Sequence, residues 1–443
     1  MPFFEEIEHA GATHVGVKRS HNQDAFTVQK APDREQWQRV GHLFIVADGM
    51  GGHAVGEMAS AKAVQEIPLT YVKNAQEGPA NALRKAFQEA NAVINAIGAS
   101  TPEFRGLGTT ATALVIRDEG AWLAHVGDSR AYRVRDGRIQ QLTYDHSYAW
   151  EMARRLGISP DELSDVKKNV IVRSLGPDPF VQVDIEGPYP LQDGDTFVLC
   201  SDGLSNLVPP DELGAILGVM PVDDAAKLLI ELANIRGGPD NITVVIVRVG
   251  ATKDSYIAPR VKVAAKVAGA FHSLLAAWNR RTPWPISILL VGFLLAVVFV
   301  AFAANGVPGA SALFAAAILT IVGGLVGLFI HAKGEKNRPV APTYNPTKAS
   351  VYREYPIRID APLVERWMKS ALQLKEQLET REWKTDWAGY TAQADAGARA
   401  TTEGDPVAAF RHYCRARGRL ATTFNKHRPK EEGFKPKWET TGS

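Results

Sequence analysis

Short apolar runs alternate with longer segments of mixed polarity over the first 250 residues. LFIVAD ends at Asp48, AWLAHVGD at Asp128 and FVLCSD at Asp202, whereas ITVVIV follows Asp240. Runs this rich in β-branched and aromatic residues predict strands, and the Gly or Asn beside each Asp predicts a tight turn at the strand end. Ala54 to Ile67 and Ala80 to Ile97 instead repeat apolar residues at helical spacing. Residues 1–250 therefore read as one domain of interleaved strands and helices.

The pattern changes after residue 250. Residues 251–285 read as a basic juxtamembrane linker or helix, with Arg260 to Trp278 weakly amphipathic. Ile286 to Ala304 and Ala312 to Ile330 contain no charged residue. At about 1.5 Å per helical residue each comes close to the ~30 Å hydrocarbon core of a bilayer. The turn NGVPGAS between them predicts a transmembrane hairpin over 286–330 rather than two buried soluble helices. Arg280 and Arg281 precede it, and Lys333, Lys336 and Arg338 follow. The positive-inside rule then puts both flanks in the cytoplasm, with the first domain and the C-terminal region on the same side. Residues 331–360 read as a Pro-rich linker. The segment 361–425 reads as a small helical cytosolic region with an interaction or packing role, and 426–443 as a disordered tail.

A net charge of +2 gives no reason to expect nucleic-acid binding. Two cysteines, Cys200 and Cys414, support neither a disulfide framework nor a zinc site. The acidic start, MPFFEEIEHAG, is not that of a cleavable signal peptide.

Chemistry concentrates at the strand ends. Carboxylates gathered there repel one another unless a hard cation neutralises them, and oxygen ligands suit magnesium or manganese. Gly49 lets the chain turn without a Cβ and leaves its carbonyl free to face a cation. Asp240-Asn241 repeats the device at the start of a strand. RSHNQD adds Arg19, whose guanidinium suits phosphate oxygens, and Asp24. Each element alone is a common turn.

Taken in order, RSHNQD, ADGMGGHAVGEMAS, GLGTTATAL, HVGDSRAY, LTYDHS, SDGL and GGPDNITVVIV resemble the bacterial branch of the metal-dependent protein phosphatase 2C family, over about Gly11 to Val249. The resemblance implies an α+β fold, a four-layer α-β-β-α sandwich of two antiparallel sheets flanked by helices, with the metal cleft at one end. It implies that Asp48 bridges two metals, Mn2+ or Mg2+, that the Gly49 carbonyl binds one, and that Asp202 and Asp240 complete the other. Asp128 would bind a third, weaker metal. Asp24 would hold metal-bound water from behind the metals, where Asn241 also stands, and Arg19 would grip the substrate phosphate. Gly108, Thr109 and Thr110 match a structural motif.

The implied activity is hydrolysis of phosphoserine and phosphothreonine in proteins by a metal-activated hydroxide, without a covalent enzyme intermediate. Its partners would be phosphoproteins, plausibly the substrates of a serine/threonine kinase. Met50 stands where animal members carry a His general acid, so the leaving-group proton must come from elsewhere. A metal-bound water is the first choice, and His21 and His53 are nearby in sequence. His146 reads as an anchor for the following segment, Ser147 to Lys168, which corresponds to a flap beside the cleft. The competing reading is a catalytically weak signalling scaffold that binds phosphoproteins. It would normally lack one of the metal aspartates, and all are present.

Overall fold

The computed structural model describes residues 6–51, 54–163, 170–250, 284–304, 314–325 and 350–428. The apolar runs form strands in two antiparallel sheets. One orders β1 (Ile7–His14), β11 (Ile242–Val249), β10 (Thr196–Cys200), β7 (Arg130–Arg135), β8 (Arg138–Gln141) and β12 (Arg353–Pro356). The other orders β2 (Asp24–Gln29), β3 (His42–Met50), β5 (Ala111–Arg117), β6 (Gly120–Val126) and β9 (Asp184–Tyr189), with β4 (Gly108–Thr109) beside β3. All eight residues of β11 are buried, which is why its centre, Val244 to Val247, is continuously apolar rather than alternating.

Phe44, Val46, Leu114, Phe197, Leu199 and Val245 fill the space between the sheets. The second sheet is covered by α2 (Ala54–Lys73) and α3 (Pro79–Ser100), through residues such as Ile67, Phe87 and Ile94. The first is covered by α6 (Pro210–Val219) and α7 (Val222–Ile235). These are the four layers expected. Among the remaining helices, α1 spans Arg34–Val40, α4 Tyr148–Leu156 and α5 Asp202–Ser205.

The C-terminal region departs from the sequence reading. Its helices α10 (Ala361–Thr380), α11 (Trp387–Thr402) and α12 (Pro406–His427) fill the segment 361–425 that the pattern read as helical, the last running on to His427. Asp360, Asp386 and Asp405 each cap one by accepting a backbone N–H three residues on. They do not form a separate region. Trp367, Leu374, Phe410, Leu420 and Phe424 belong to the same buried cluster as Leu213, Leu228 and Val244 of the first domain. Within the expected Pro-rich linker, Arg353–Pro356 forms the edge strand β12 on β8. One compact unit accordingly comprises Met1–Arg260 and Asn345–Ser443. Helical periodicity shows that a face is apolar; it does not show what that face will bury.

The second unit is Val261–Tyr344. In it α8 spans Trp284–Ala304, 21 residues without a charge, and residues 314–325 form helix α9. Gly292 lies against Ile321, and Gly324 against Leu289, so the two helices pack through small residues. Among the described residues no helix is long and apolar enough to cross a membrane. The expected pair of transmembrane helices is therefore not part of the described fold. The basic segment 251–283, the turn 305–313 and the basic flank 326–349 lie outside the described residues, as does the tail from 429.

Candidate active site

Strand pairing brings the aspartates together. In the β2–β3 register Asp24 sits opposite Asp48. The β10 and β11 strands are neighbours, so Asp202, just after one, and Asp240, just before the other, meet at the same end. Asp128 arrives on the turn between β6 and β7. Threonines fix the Asp48 backbone: its N–H donates to Thr110 Oγ1, and Thr109 Oγ1 donates to its carbonyl, each at 2.9 Å. Thr109 and Thr110 are thus structural supports of the cleft, as read from the sequence.

The carboxylates influence one another's protonation. Burial pushes the Asp48 carboxyl well above its ordinary range, and the charges of Asp24, Asp202, Asp128 and Asp240 push it further. Burial raises Asp24 to about 7, with Asp202 and Asp240 adding to it against hydrogen bonds from Thr243 and Ser201. Asp128 is raised to about 8, first by burial and then by Asp202 and Asp145, against the nearby Arg130. Asp202 is raised by burial and by Asp240. A cluster of acids shifted in this way favours a bound cation, whose charge would offset their repulsion.

Among the described residues no group of three or more His, Cys, Asp or Glu side chains is drawn together tightly enough to hold a metal ion as it stands. Asp24 Oδ1 and Asp128 Oδ1 are nevertheless buried without a hydrogen-bond partner. Unpaired buried carboxylate oxygens are costly, and a divalent cation would satisfy them. The donor set is oxygen only. The residues fit magnesium or manganese on both counts.

Gly49 is required by space. A Cβ there would lie 2.1 Å from the Gly56 carbonyl oxygen and 2.6 Å from that of Gln23. Gly49→Ala must displace backbone on both sides, and an ångström of displacement at a reacting centre can lower the rate about a hundredfold. A loss of that order in kcat, with a rightward shift of the manganese titration, is the expected result. Unchanged kinetics would mean that the loop relaxes freely.

Arg19 lies at the rim, its Nη2 2.9 Å from Asp240 Oδ2, with both side chains substantially exposed. Asn241 is structural: its Oδ1 accepts from the Gln23 N–H, and its Nδ2 donates to the carbonyls of Val15 and His21. It locks the RSHNQD segment onto β11. His21 is exposed, Met50 is half-buried, and His53 lies outside the described residues. His146 is buried and accepts from the Gly127 N–H at Nδ1, while Nε2 meets Asp184 at 3.0 Å. It anchors the turn carrying Asp128. The flap contains α4, and its residues 164–169 lie outside those described.

Residues inside the quoted motifs to which the sequence assigned no role hold this site together. Ser201 Oγ donates to Asp24 Oδ2 at 2.8 Å and accepts from the Thr243 N–H. Arg130 grips both oxygens of Asp145. A cavity of about 50 Å³ lies beside the cluster, lined by Asp128, Asp202, Arg130, Asn206, Trp150 and Arg353 among others. The larger cavity of about 560 Å³ between α7 and α12 contains none of these aspartates.

Next to this site, His125 on β6 is buried between Thr112, at Nδ1, and the Tyr144 carbonyl, at Nε2. Burial, and then His146, depresses it to about 3. The unfolded imidazole takes a proton near 6.5, so between these values the unfolded chain binds one more proton. The stability contribution is complete above about pH 6.5 and is lost towards pH 3, by up to about 1.4 kcal/mol per pH unit. Urea midpoints measured from pH 7 to 4.5 should fall more steeply for the native protein than for His125→Gln. Parallel slopes would contradict the buried neutral imidazole.

A sandwich with clustered acidic oxygens and a guanidinium at one end defines a metal-dependent phosphoester hydrolase. A family profile described as protein phosphatase 2C matches residues 10–220. The serine/threonine phosphatase stp of Listeria monocytogenes is 38% identical over 242 residues, which are 53% of this chain and 93% of that protein. Protein phosphatase PhpP of Streptococcus pneumoniae is 36% identical over 242 residues, 53% of this chain and 94% of its own. Among solved structures, the S. agalactiae serine/threonine phosphatase is 33% identical, with a TM-score of 0.50, over 55% of this chain and 99% of that one. The chain belongs to the protein phosphatase 2C family, and it is a metal-dependent protein serine/threonine phosphatase.

Proposed function

We propose that the protein is a membrane-anchored phosphatase whose catalytic unit faces the cytoplasm and dephosphorylates phosphoserine and phosphothreonine in the products of a serine/threonine kinase. The observation that carries the catalytic part is the convergence of Asp24, Asp48, Asp128, Asp202 and Asp240 at one end of the sandwich, with Asp24 Oδ1 and Asp128 Oδ1 buried without a partner. Asp48, Asp202, Asp240 and the Gly49 carbonyl would hold two divalent cations, manganese or magnesium, and Asp128 a third. When bound, the cations supply charge neutralisation and Lewis acidity for direct hydrolysis. Arg19, exposed at the rim, turns from Asp240 to bind and orient the phosphate oxygens. Asp24, held by Ser201, keeps its second oxygen unpaired and able to accept a proton within the cluster. No nucleophilic side chain is required. Cys200 is buried, and burial pushes its thiol up to about 12, so it is no candidate.

Two observations support the anchor. Phe293, Val297, Val300, Leu319, Val322 and Leu325 on α8 and α9 are exposed large hydrophobics, which suits a lipid surrounding. The residues before and after the apolar segment also belong to one compact unit. A chain that leaves and re-enters the same folded unit crosses a bilayer an even number of times, as a hairpin does.

Full-length protein in detergent should hydrolyse a phosphothreonine peptide with manganese and lose this activity with chelator or in Asp202→Ala. Activity indifferent to both would sink the catalytic reading. A full-length protein that remains monodisperse without detergent, or a 305–311 loop accessible from the cytoplasm, would overturn the anchor or its orientation.

A further inference from the structure

The segment that follows the apolar hairpin reaches the cleft itself. Ser350 donates its N–H to Glu186 at 3.0 Å and accepts from Tyr189 Oη at 2.7 Å, both on β9 at the edge of one sheet. Tyr352 Oη donates to the same Glu186, while the Tyr352 N–H donates to the Gln141 carbonyl of β8 in the other sheet. Residues 350–352 therefore bridge the two sheets, and the β12–β8 register then sets Arg353 opposite Gln141. The Gln141 amide donates to Asp145, which Arg130 grips beside Asp128.

From this position Arg353 holds the flap. Its guanidinium carbon lies 4.6 Å from the Trp150 ring centroid on α4, and its Nη2 lies 3.0 Å from Asp161 Oδ1. Trp150 packs edge-on against Tyr144 at 4.9 Å, and Tyr144 against Tyr352 at 5.7 Å. The indole is thus held by Tyr144, which contacts the C-terminal segment, and by Arg353, which belongs to it. The Arg353 side chain is 13% exposed, and it lines the small cavity that Asp128 and Asp202 also line. Asp161 is 63% exposed, so its ion pair alone is weakly constraining. The flat guanidinium stacked on Trp150 is the firmer contact.

We infer that Arg353 is a positioning residue for the flap, through which the segment after the hairpin sets how well the cleft accepts a phosphorylated polypeptide as against a small phosphate ester. A polypeptide must lie along the flap; an aryl phosphate need only reach the carboxylates. The inference rests on the phosphatase reading above.

The test compares full-length native protein with Arg353→Ala, Arg353→Lys and Asp161→Asn, on a phosphothreonine peptide and on p-nitrophenyl phosphate. For Arg353→Ala the ratio of the two kcat/KM values should shift about tenfold against the peptide, mainly through its KM. Arg353→Lys should retain most of the defect, since an ammonium keeps the charge without the planar stack. Asp161→Asn should give a smaller shift in the same direction. Amides of 148–162 should exchange faster in Arg353→Ala. Equal losses on both substrates, or an unchanged ratio with unchanged exchange, would overturn the inference. Should Arg353→Ala not fold, Arg353→Lys and Asp161→Asn decide on the same criteria. Should the native protein turn over neither substrate, the catalytic reading has failed, and the exchange of 148–162 still decides whether Arg353 holds the flap.

Discussion

Asp48→Asn is expected to lower manganese-dependent turnover by at least about a thousandfold while making the metal-free protein more stable. The two effects have opposite signs because one carboxylate serves both. With metal absent, Asp48 is a buried acid facing four others, and its raised protonation range means that folding at neutral pH works against its charge. The neutral amide removes that cost, at about 1.4 kcal/mol for each pH unit of the shift. Its thermal midpoint in chelator should rise by at least about 2 °C.

Manganese at a hundred times its dissociation constant should add about 2.7 kcal/mol to the native protein and much less to the variant. Scanning calorimetry in chelator and in manganese, with kinetics on the same samples, checks both. A variant that is less stable without metal would show that the carboxylates do not repel as described.

The raised acids also impose a pH dependence on stability. Asp24 is held near 7 in the fold and near the usual carboxylate value, about 4, when unfolded. The contribution of its protonated form to stability is complete below about pH 4 and is lost as pH rises through 7. Metal-free protein should therefore lose stability from this group over that window, and bound cations should remove the dependence.

Deleting residues 350–443 is expected to lower the thermal midpoint of the catalytic domain by more than about 10 °C, or to make it aggregate. The C-terminal helices bury a face that the domain cannot leave in water. Ile357 packs against Gly214 of α6, and Gly418 of α12 faces Leu228 of α7. Arg411 donates to the Val219 carbonyl and Asn425 to that of Glu231. Each large apolar side chain returned to water costs about 1.5–3 kcal/mol. Phe410, fully buried and edge-on to Trp367 at 5.1 Å, offers a finer test. Phe410→Ala should cost about 3–5 kcal/mol, and activity and helix content should be lost in one transition. Two separate transitions, or a 1–250 fragment as stable as the full chain, would mean that the shared core contributes little.

Much of the catalytic half could be read directly. Strands such as β3 and β11 are buried on both faces over Leu43–Ala47 and Val244–Val247, so these stretches are unbroken apolar runs, and the acids stand near their ends. The C-terminal helices were also legible as amphipathic stretches, although the Asp that caps each of them went unmarked. β12 was not: REYP is four residues at a sheet edge, half-exposed, and ends in a proline that an edge strand tolerates. Ser201 and Arg130 lie inside the quoted motifs and Arg353 in none, and sequence alone assigned none of the three a role, since their partners are far away along the chain.

The acids that opened the reading divide along the same line. Local sequence determined that aspartates would sit where strands stop, because β propensity and turn chemistry act over a few residues. Only the tertiary structure decided that these four and Asp24 crowd into one cluster, since their repulsion depends on distances set by strand pairing. It also decided that a segment 200 residues beyond Trp150 stacks on its ring, an outcome of sheet edges and core packing to which no local pattern refers.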